Sequence, residues 1–186
     1  MAYFPAMINL ERKPVLVVGG NSEGLKKIRI LKDFGAVITL IAQEAFFESV
    51  ELSETYHQKK FEDSDFERDD YALIVAATND RDVNNRIYEL ANDKRILINV
   101  VDDIELCTFI FPAIVRDEDV VCAVSSSGKS PYVAKHLKDL IQNILPKNIG
   151  AINNQMGLVR KKVKAEIPDI SERKKILLEE FNSLIK

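Results

Sequence analysis

The chain contains no tryptophan, only two cysteines and two histidines, and no apolar run near the roughly 18 residues of a membrane-spanning helix. Each scarcity removes a class of function. Cys107 and Cys122 stand far apart, with neither CxxC spacing nor a neighbouring histidine, which argues against a structural zinc and fits reduced thiols in the cytoplasm. His57 and His136 make no metal-ligand pattern, so no metal site is expected. No Ser-His-Asp or Cys-His arrangement is legible locally. Charge of one sign is also in short supply: 26 Lys and Arg against 29 Asp and Glu leave a net charge of −3, which gives no general pull toward nucleic acid or an anionic membrane. The opening MAYFPAMINLERK is interrupted by Pro5 and Asn9 and carries no basic leader, so neither a secretory signal nor a membrane span is expected.

What is present is the rhythm of an α/β protein. Residues 14–101 alternate apolar runs with amphipathic stretches: PVLVVGG, SEGLKKIRILKDFG and AVITLIA, then YALIVAA, RDVNNRIYELAND and RILINVV. Runs this rich in Val and Ile suit strands covered on both faces, and their alternation with helices predicts a parallel, Rossmann-like sheet. The first helix turns Leu25, Ile28 and Leu31 inward and stops at Gly35; the later one carries Val83, Ile87, Leu90 and Ala91 on one face. Residues 43–70 are acidic and less regular, and are expected to hold one short helix and a strand within TYHQKKF. From residue 106, LCTFIFPAIVRDEDVVCAVSS reads as a hairpin around the polar turn RDED, with Pro112 at an edge or bulge. Ser130 then caps a helix with Pro131 at its first position, and Ala134, Leu137, Leu140, Ile141 and Ile144 form its apolar stripe. Beyond Pro146 the pattern is helical with a break near Pro168, and the stripe Leu177, Leu178, Phe181, Leu184 and Ile185 needs a partner surface.

The stretch VLVVGGNSEG, residues 15–24, resembles a strand entering a dinucleotide-binding turn. Such a turn uses its first glycine for the bend, its second for close approach of the pyrophosphate and its third for packing of helix on strand. Gly19, Asn21 and Gly24 hold those places. Asn tolerates a left-handed backbone, so the turn can form, but its side chain crowds the phosphate position. Gly20 leaves some backbone room, whereas Glu23 competes with a phosphate for the helix dipole. The same residues read equally well as an α/β turn with glycines for geometry alone.

Three further stretches fall where the carboxyl edge of a parallel sheet meets its ligand. LIAQE ends in Gln43, able to bond a ribose hydroxyl, and Glu44; no arginine stands there for a 2′-phosphate, which favours NAD over NADP. YALIVAATND ends in small residues and then Thr78, Asn79 and Asp80, leaving space for a flat ring, with Asn79 or Asp80 capping the next helix. ILINVVDD delivers Asp102 and Asp103, which in an extended chain would point to opposite sides, so that at most one faces the cleft. Finally, SSSGKSP places hydroxyls, a glycine and a lysine before a helix N-terminus, a setting for a carboxylate or phosphate or simply a capped helix start.

Taken in order, FPAMINLERKPVLVVGG, AATND, INVVDD, FIFPAIV and AVSSSGKSP resemble the precorrin-2 dehydrogenase family, including the N-terminal module of siroheme synthases, over roughly residues 3 to 150. The resemblance implies NAD-dependent oxidation of precorrin-2 to sirohydrochlorin in siroheme (porphyrin-type tetrapyrrole) biosynthesis, by a cytoplasmic homodimer. It implies Asp102 as the catalytic aspartate, with nicotinamide near Thr78, Asn99 and Val100 and cofactor contacts at Gly19, Gly20, Asn21, Ser22, Glu23, Gln43 and Glu44. Ser125, Ser126, Ser127, Gly128 and Lys129 match the serine-rich stretch near the tetrapyrrole substrate. The implied organisation is an NAD-binding Rossmann-like domain over 1–105, a dimerisation and substrate region over 106–146 and a C-terminal helical region over 147–186. Insertion of ferrous iron into sirohydrochlorin stays open as a second activity. A chelatase without dehydrogenase activity, or a non-catalytic nucleotide-sensing module of the same fold, are the alternatives that Asn21 permits.

Overall fold

The computed structural model describes residues 3–185; residues 1, 2 and 186, at the ends of the first and last expected regions, lie outside it. The chain forms two compact units, one ending at Phe111 and the other beginning at Pro112.

In the first unit five strands, β1 (Pro14–Gly20), β2 (Val37–Ala45), β3 (Thr55–His57), β4 (Leu73–Ala76) and β5 (Leu97–Val100), make one sheet in the order β3-β2-β1-β4-β5. Every pairing is parallel. Central β1 must be apolar on both faces, and Val15, Leu16 and Val17 are fully buried. Alternation along the strands sorts the core. Val15, Val17, Ile38, Leu40, Leu73 and Val75 face one side, where Ile28 and Leu31 of helix α1 (Ser22–Asp33) cover them. Leu16, Val18, Ile41, Ile74 and Ile98 face the other, against Ile87 and Ala91 of helix α3 (Arg81–Asp93). The expected short helix is α2 (Phe47–Glu51).

The crossover from β3 to β4 carries no α-helix. Its place on the sheet is taken by Phe61, Phe66 and Tyr71, around a 3-10 turn at Asp63–Glu67. The rings of Phe61 and Phe66 meet edge to face, 5.8 Å between centroids. Asp65, fully buried, secures this segment: it accepts hydrogen bonds from Glu62 N (2.9 Å) and Arg68 Nε (2.7 Å) and pairs with Lys59 Nζ at 3.1 Å. Residues 106–111 also belong to this unit, because Thr108 returns to β5, its N donating to Ile98 O at 2.9 Å and its Oγ1 accepting from Ile98 N at 2.8 Å. The boundary between the units thus falls later than the change of hydropathy rhythm.

The second unit begins with an antiparallel hairpin, β6 (Ala113–Asp117) and β7 (Val120–Val124). The turn is tighter than RDED: Arg116 and Asp117 pair within the ladder, leaving Glu118, at φ 50°, and Asp119 to reverse the chain. Ser130 caps α4 (Pro131–Ile144), accepting from Val133 N at 3.3 Å. Helices α5 (Ile149–Glu166) and α6 (Ile170–Leu184) pack on each other, so Leu177 and Phe181 are half-buried within the chain while Leu178 stays exposed. Asp117 Oδ2 accepts from Gly150 N at 2.7 Å and ties the start of α5 to the hairpin. Among the described residues no helix is long and apolar enough to cross a membrane.

Candidate functional site

In an open parallel sheet the crevice opens where connections leave in opposite directions, here between the carboxyl ends of β1 and β4. The glycines at this point are dictated by geometry. Gly19 has φ 104°, a conformation L side chains avoid, and a Cβ there would overlap the carbonyl of Ala77 at the end of β4. A Cβ on Gly24 would overlap Gly19 O, so the third glycine lets α1 sit against the turn.

Asn21 behaves differently from the expectation of a left-handed turn residue. Its backbone is extended (φ −73°, ψ −173°) and it is the N-cap of α1: Oδ1 accepts from Glu23 N and Gly24 N, both at 3.0 Å. Its Nδ2 donates to Ala77 O (2.8 Å) and Asn79 Oδ1 (3.2 Å), which fastens the β1–α1 turn to the end of β4. The side chain therefore occupies two of the backbone N–H groups that a helix N-terminus would offer a phosphate, and it bridges the crevice. Ser22 is exposed at the first position of α1, and Glu23 pairs with Lys26 at 2.5 Å.

A cavity of about 500 Å³ opens at this edge, lined by Gly19, Gly20, Asn21, Gln43, Glu44 and Thr78. Sequence reasoning missed its other wall. Lys59, Lys60 and Phe61 close it from the crossover, and Ile41 and Val83 supply apolar floor. Lys59 is committed to Glu62 and Asp65, whereas Lys60 is exposed with no ion pair among the described residues. Thr78 is fixed by Asn84, whose amide oxygen accepts from Thr78 Oγ1 (2.7 Å) and N (3.3 Å) and whose Nδ2 donates to Thr78 O (3.0 Å). Asp80, not Asn79, caps α3, accepting from Asp82 N and Val83 N.

Asn79 also lines a second, adjoining cavity of about 460 Å³ with Val100, Asp102, Asp103 and Arg81. Here the extended-chain expectation is corrected: β5 ends at Val100 and the chain turns, Asp102 taking φ 61°. Alternation no longer applies, and both aspartates line the same cavity. Asp103 is drawn to Arg81 Nη2 at 3.5 Å, while Asp102 is exposed. Asn99 is buried, its amide donating to Cys107 Sγ (3.4 Å) and Phe109 O (3.2 Å). Lys27 of α1 lies over the Phe111 ring, 4.7 Å from its centroid; burial lowers its pKa, against the pull of Glu23 and Asp102.

The serine-rich stretch lies in the second unit. Ser126 Oγ donates to Ser130 O (2.8 Å) and accepts from Ser130 N (3.0 Å), and Ser125 Oγ accepts from Ser127 N (3.0 Å). Ser127 and Gly128 take φ 54° and 76°, and Lys129 N donates to Ser126 O at 3.1 Å. The serines thus hold a tight loop ahead of α4.

The chain is similar to known proteins in sequence and in fold. Two siroheme synthases, from Zymomonas mobilis subsp. mobilis and Neisseria meningitidis serogroup C, are 35% and 36% identical over 99% and 98% of this chain. The chain spans only 40% and 38% of their lengths. The solved structure of "SirC, precorrin-2 dehydrogenase" superposes with a TM-score of 0.78 at 24% identity, covering 95% of this chain and 88% of that one. That likeness establishes the Rossmann-like α/β fold. A family model described as putative NAD(P)-binding matches residues 6–113. With more than half its length so matched, the chain belongs to the putative NAD(P)-binding family.

Proposed function

We propose that this chain oxidises precorrin-2 to sirohydrochlorin with NAD, as a homodimer in the cytoplasm. The observation that carries the reading is the pair of adjoining cavities sharing Asn79: one holds the dinucleotide-turn residues, the other Asp102. The relatives named above supply the substrate class.

The first cavity fits a dinucleotide. Ile41, Phe61 and Val83 offer an apolar wall for a base, Gln43 and Glu44 hydrogen-bonding groups for a ribose, and Lys60 a cation beside the phosphates. Bound NAD supplies hydride acceptance at its nicotinamide. Asp102 orients the macrocycle or takes its proton from the neighbouring cavity, and Arg81 keeps Asp103 from that task. In the second unit, taken by itself, Lys129 and the N-terminus of α4 offer groups able to bind a carboxylate. Val133, Leu137, Leu140 and Ile144 of α4 are exposed to 52%, 42%, 47% and 78%, an apolar stripe suited to a second copy of the chain.

The test is to mix the protein anaerobically with precorrin-2, with and without NAD, following the tetrapyrrole and NADH spectra, and in a separate anaerobic reaction with sirohydrochlorin and ferrous iron. Oxidation only with NAD supports the reading. Iron insertion without oxidation turns it into a chelatase, and silence in both into a nucleotide sensor. At saturating NAD, Asp102→Ala is expected to abolish turnover, and unchanged turnover removes Asp102 from the chemistry.

A further inference from the structure

Asp102 takes a left-handed backbone (φ 61°), uncommon for a residue other than glycine although Asp adopts it more readily than most, and contacts around its loop restrain it there. The restraint is visible in the loop from Val100 to Cys107. Regular strand pairing stops at Val100; Val101 N still reaches Ala76 O at 2.9 Å, but the bonds within the loop are longer, Asp103 N to Val100 O at 3.4 Å and Leu106 N to Asp103 O at 3.3 Å. Into this loop projects the Cys107 thiol, 7% exposed. Its sulfur accepts from Val100 N (3.2 Å) and Asn99 Nδ2 (3.4 Å), and its proton is shared toward Val100 O and Asp103 O, both at 3.2 Å. Those partners are the two residues before the turn and the residue immediately after Asp102. Asn99 reinforces the clasp by reaching Phe109 O, and Thr108 fastens the next position to Ile98.

We propose that Cys107 is a positioning residue for Asp102: its thiol clasps the loop on both sides of the aspartate and sets where the carboxylate stands over its cavity. The inference rests on the proposed role of Asp102. The thiol is a clasp rather than a nucleophile, since it is buried and its polar contacts all go to backbone groups and the Asn99 amide. Sulfur suits the place because its reach lets one atom serve four partners at 3.2–3.4 Å.

The experiment compares wild type with Cys107→Ala, Cys107→Ser and Asp102→Ala, measuring kcat and KM for precorrin-2 and for NAD well below the melting temperature of each. A displacement on the order of 1 Å can cost about a hundredfold in rate, so Cys107→Ala is expected to lose at least tenfold in kcat with KM for NAD within twofold. Cys107→Ser, which keeps a donor and an acceptor, is expected to restore most of the loss. A Cys107→Ala enzyme within twofold of wild-type kcat, beside an inactive Asp102→Ala enzyme, overturns the positioning role and leaves the proposed function standing. Should Cys107→Ala fail to fold, Cys107→Val, which fills the space but removes the thiol's hydrogen bonds, decides: at least a tenfold loss of kcat with KM for NAD within twofold supports the clasp; kcat within twofold of wild type, or equal losses in kcat and NAD binding, overturns it. An active Asp102→Ala enzyme refutes the underlying reading instead.

Discussion

Replacing Asn21 by Gly restores the glycine that a dinucleotide turn ordinarily has, and the structure gives the change two opposite consequences. Stability falls. Loss of an Asn cap to Gly costs only a few tenths of a kcal/mol, but Nδ2 also bonds Ala77 O and Asn79 Oδ1, and each such bond is worth about 0.5–1.5 kcal/mol net. With the exposed Asn79 bond at the low end, the sum is about 2 kcal/mol, or a fall of about 4–8 °C in Tm for a chain of this size. Affinity for NAD rises. The N–H groups of Glu23 and Gly24, bound to Asn21 Oδ1 in the present protein, become available to the pyrophosphate, and a hydrogen bond to a charged group contributes about 1.5–3 kcal/mol. After solvation of the freed groups, tighter binding of about tenfold, some 1.4 kcal/mol, is expected. Thermal unfolding without cofactor and calorimetric titration with NAD measure the two effects independently. A variant that is destabilised as expected yet binds NAD more weakly would refute the reasoning, because Asn21 would then be a cofactor ligand and not an obstacle to one.

Two further outcomes concern the wall that the crossover builds. Asp65→Asn removes the buried charge that pairs with Lys59 and Arg68 and is expected to cost about 2–3 kcal/mol, read by chemical denaturation. Burial tends to raise the pKa of Asp65, but hydrogen bonds from Glu62 N, Arg68 and Lys59 outweigh it and hold the carboxyl below its usual range. Its contribution is therefore complete above the unfolded pKa of about 3.9 and lost as pH falls through the lower folded value, so the stability gap between wild type and variant should narrow in acid. Lys60→Glu reverses an exposed charge beside the dinucleotide cavity and is expected to weaken NAD binding by about tenfold at low salt, less at high salt; calorimetry at two ionic strengths checks this.

Much of the first unit was legible because its signals are local. Val and Ile runs such as VLVV and LIVA had to be two-faced strands, and Gly19 and Gly24 sit where their overlaps with Ala77 and Gly19 require them. The cap role of Ser130 likewise follows from residues within three positions, whereas the choice of Asp80 over Asn79 as the cap of α3 came only from the structure. What escaped depends on partners distant in sequence. The Lys59–Phe61 wall is placed by Asp65 and by packing of Phe61 on the sheet. Asn21 as an extended cap, rather than a left-handed turn residue, depends on Ala77 and Asn79, more than fifty positions away. Asp102 and Asp103 were read through strand alternation, which fails because β5 ends at Val100, two residues before Asp102. The sequence around Cys107 shows no zinc-site spacing, and nothing in it reveals a thiol folded back on Val100 and Asp103.

The central claim is that NAD occupies the crevice at the carboxyl ends of β1 and β4, next to Asp102. Backbone amide hydrogen exchange with and without saturating NAD tests it most directly. Added protection is expected at residues 18–21, 41–44, 59–61 and 77–80, which line the cavity, and at the loop carrying Asp102. Protection confined to residues 112–185, or no change anywhere at saturation, would contradict it.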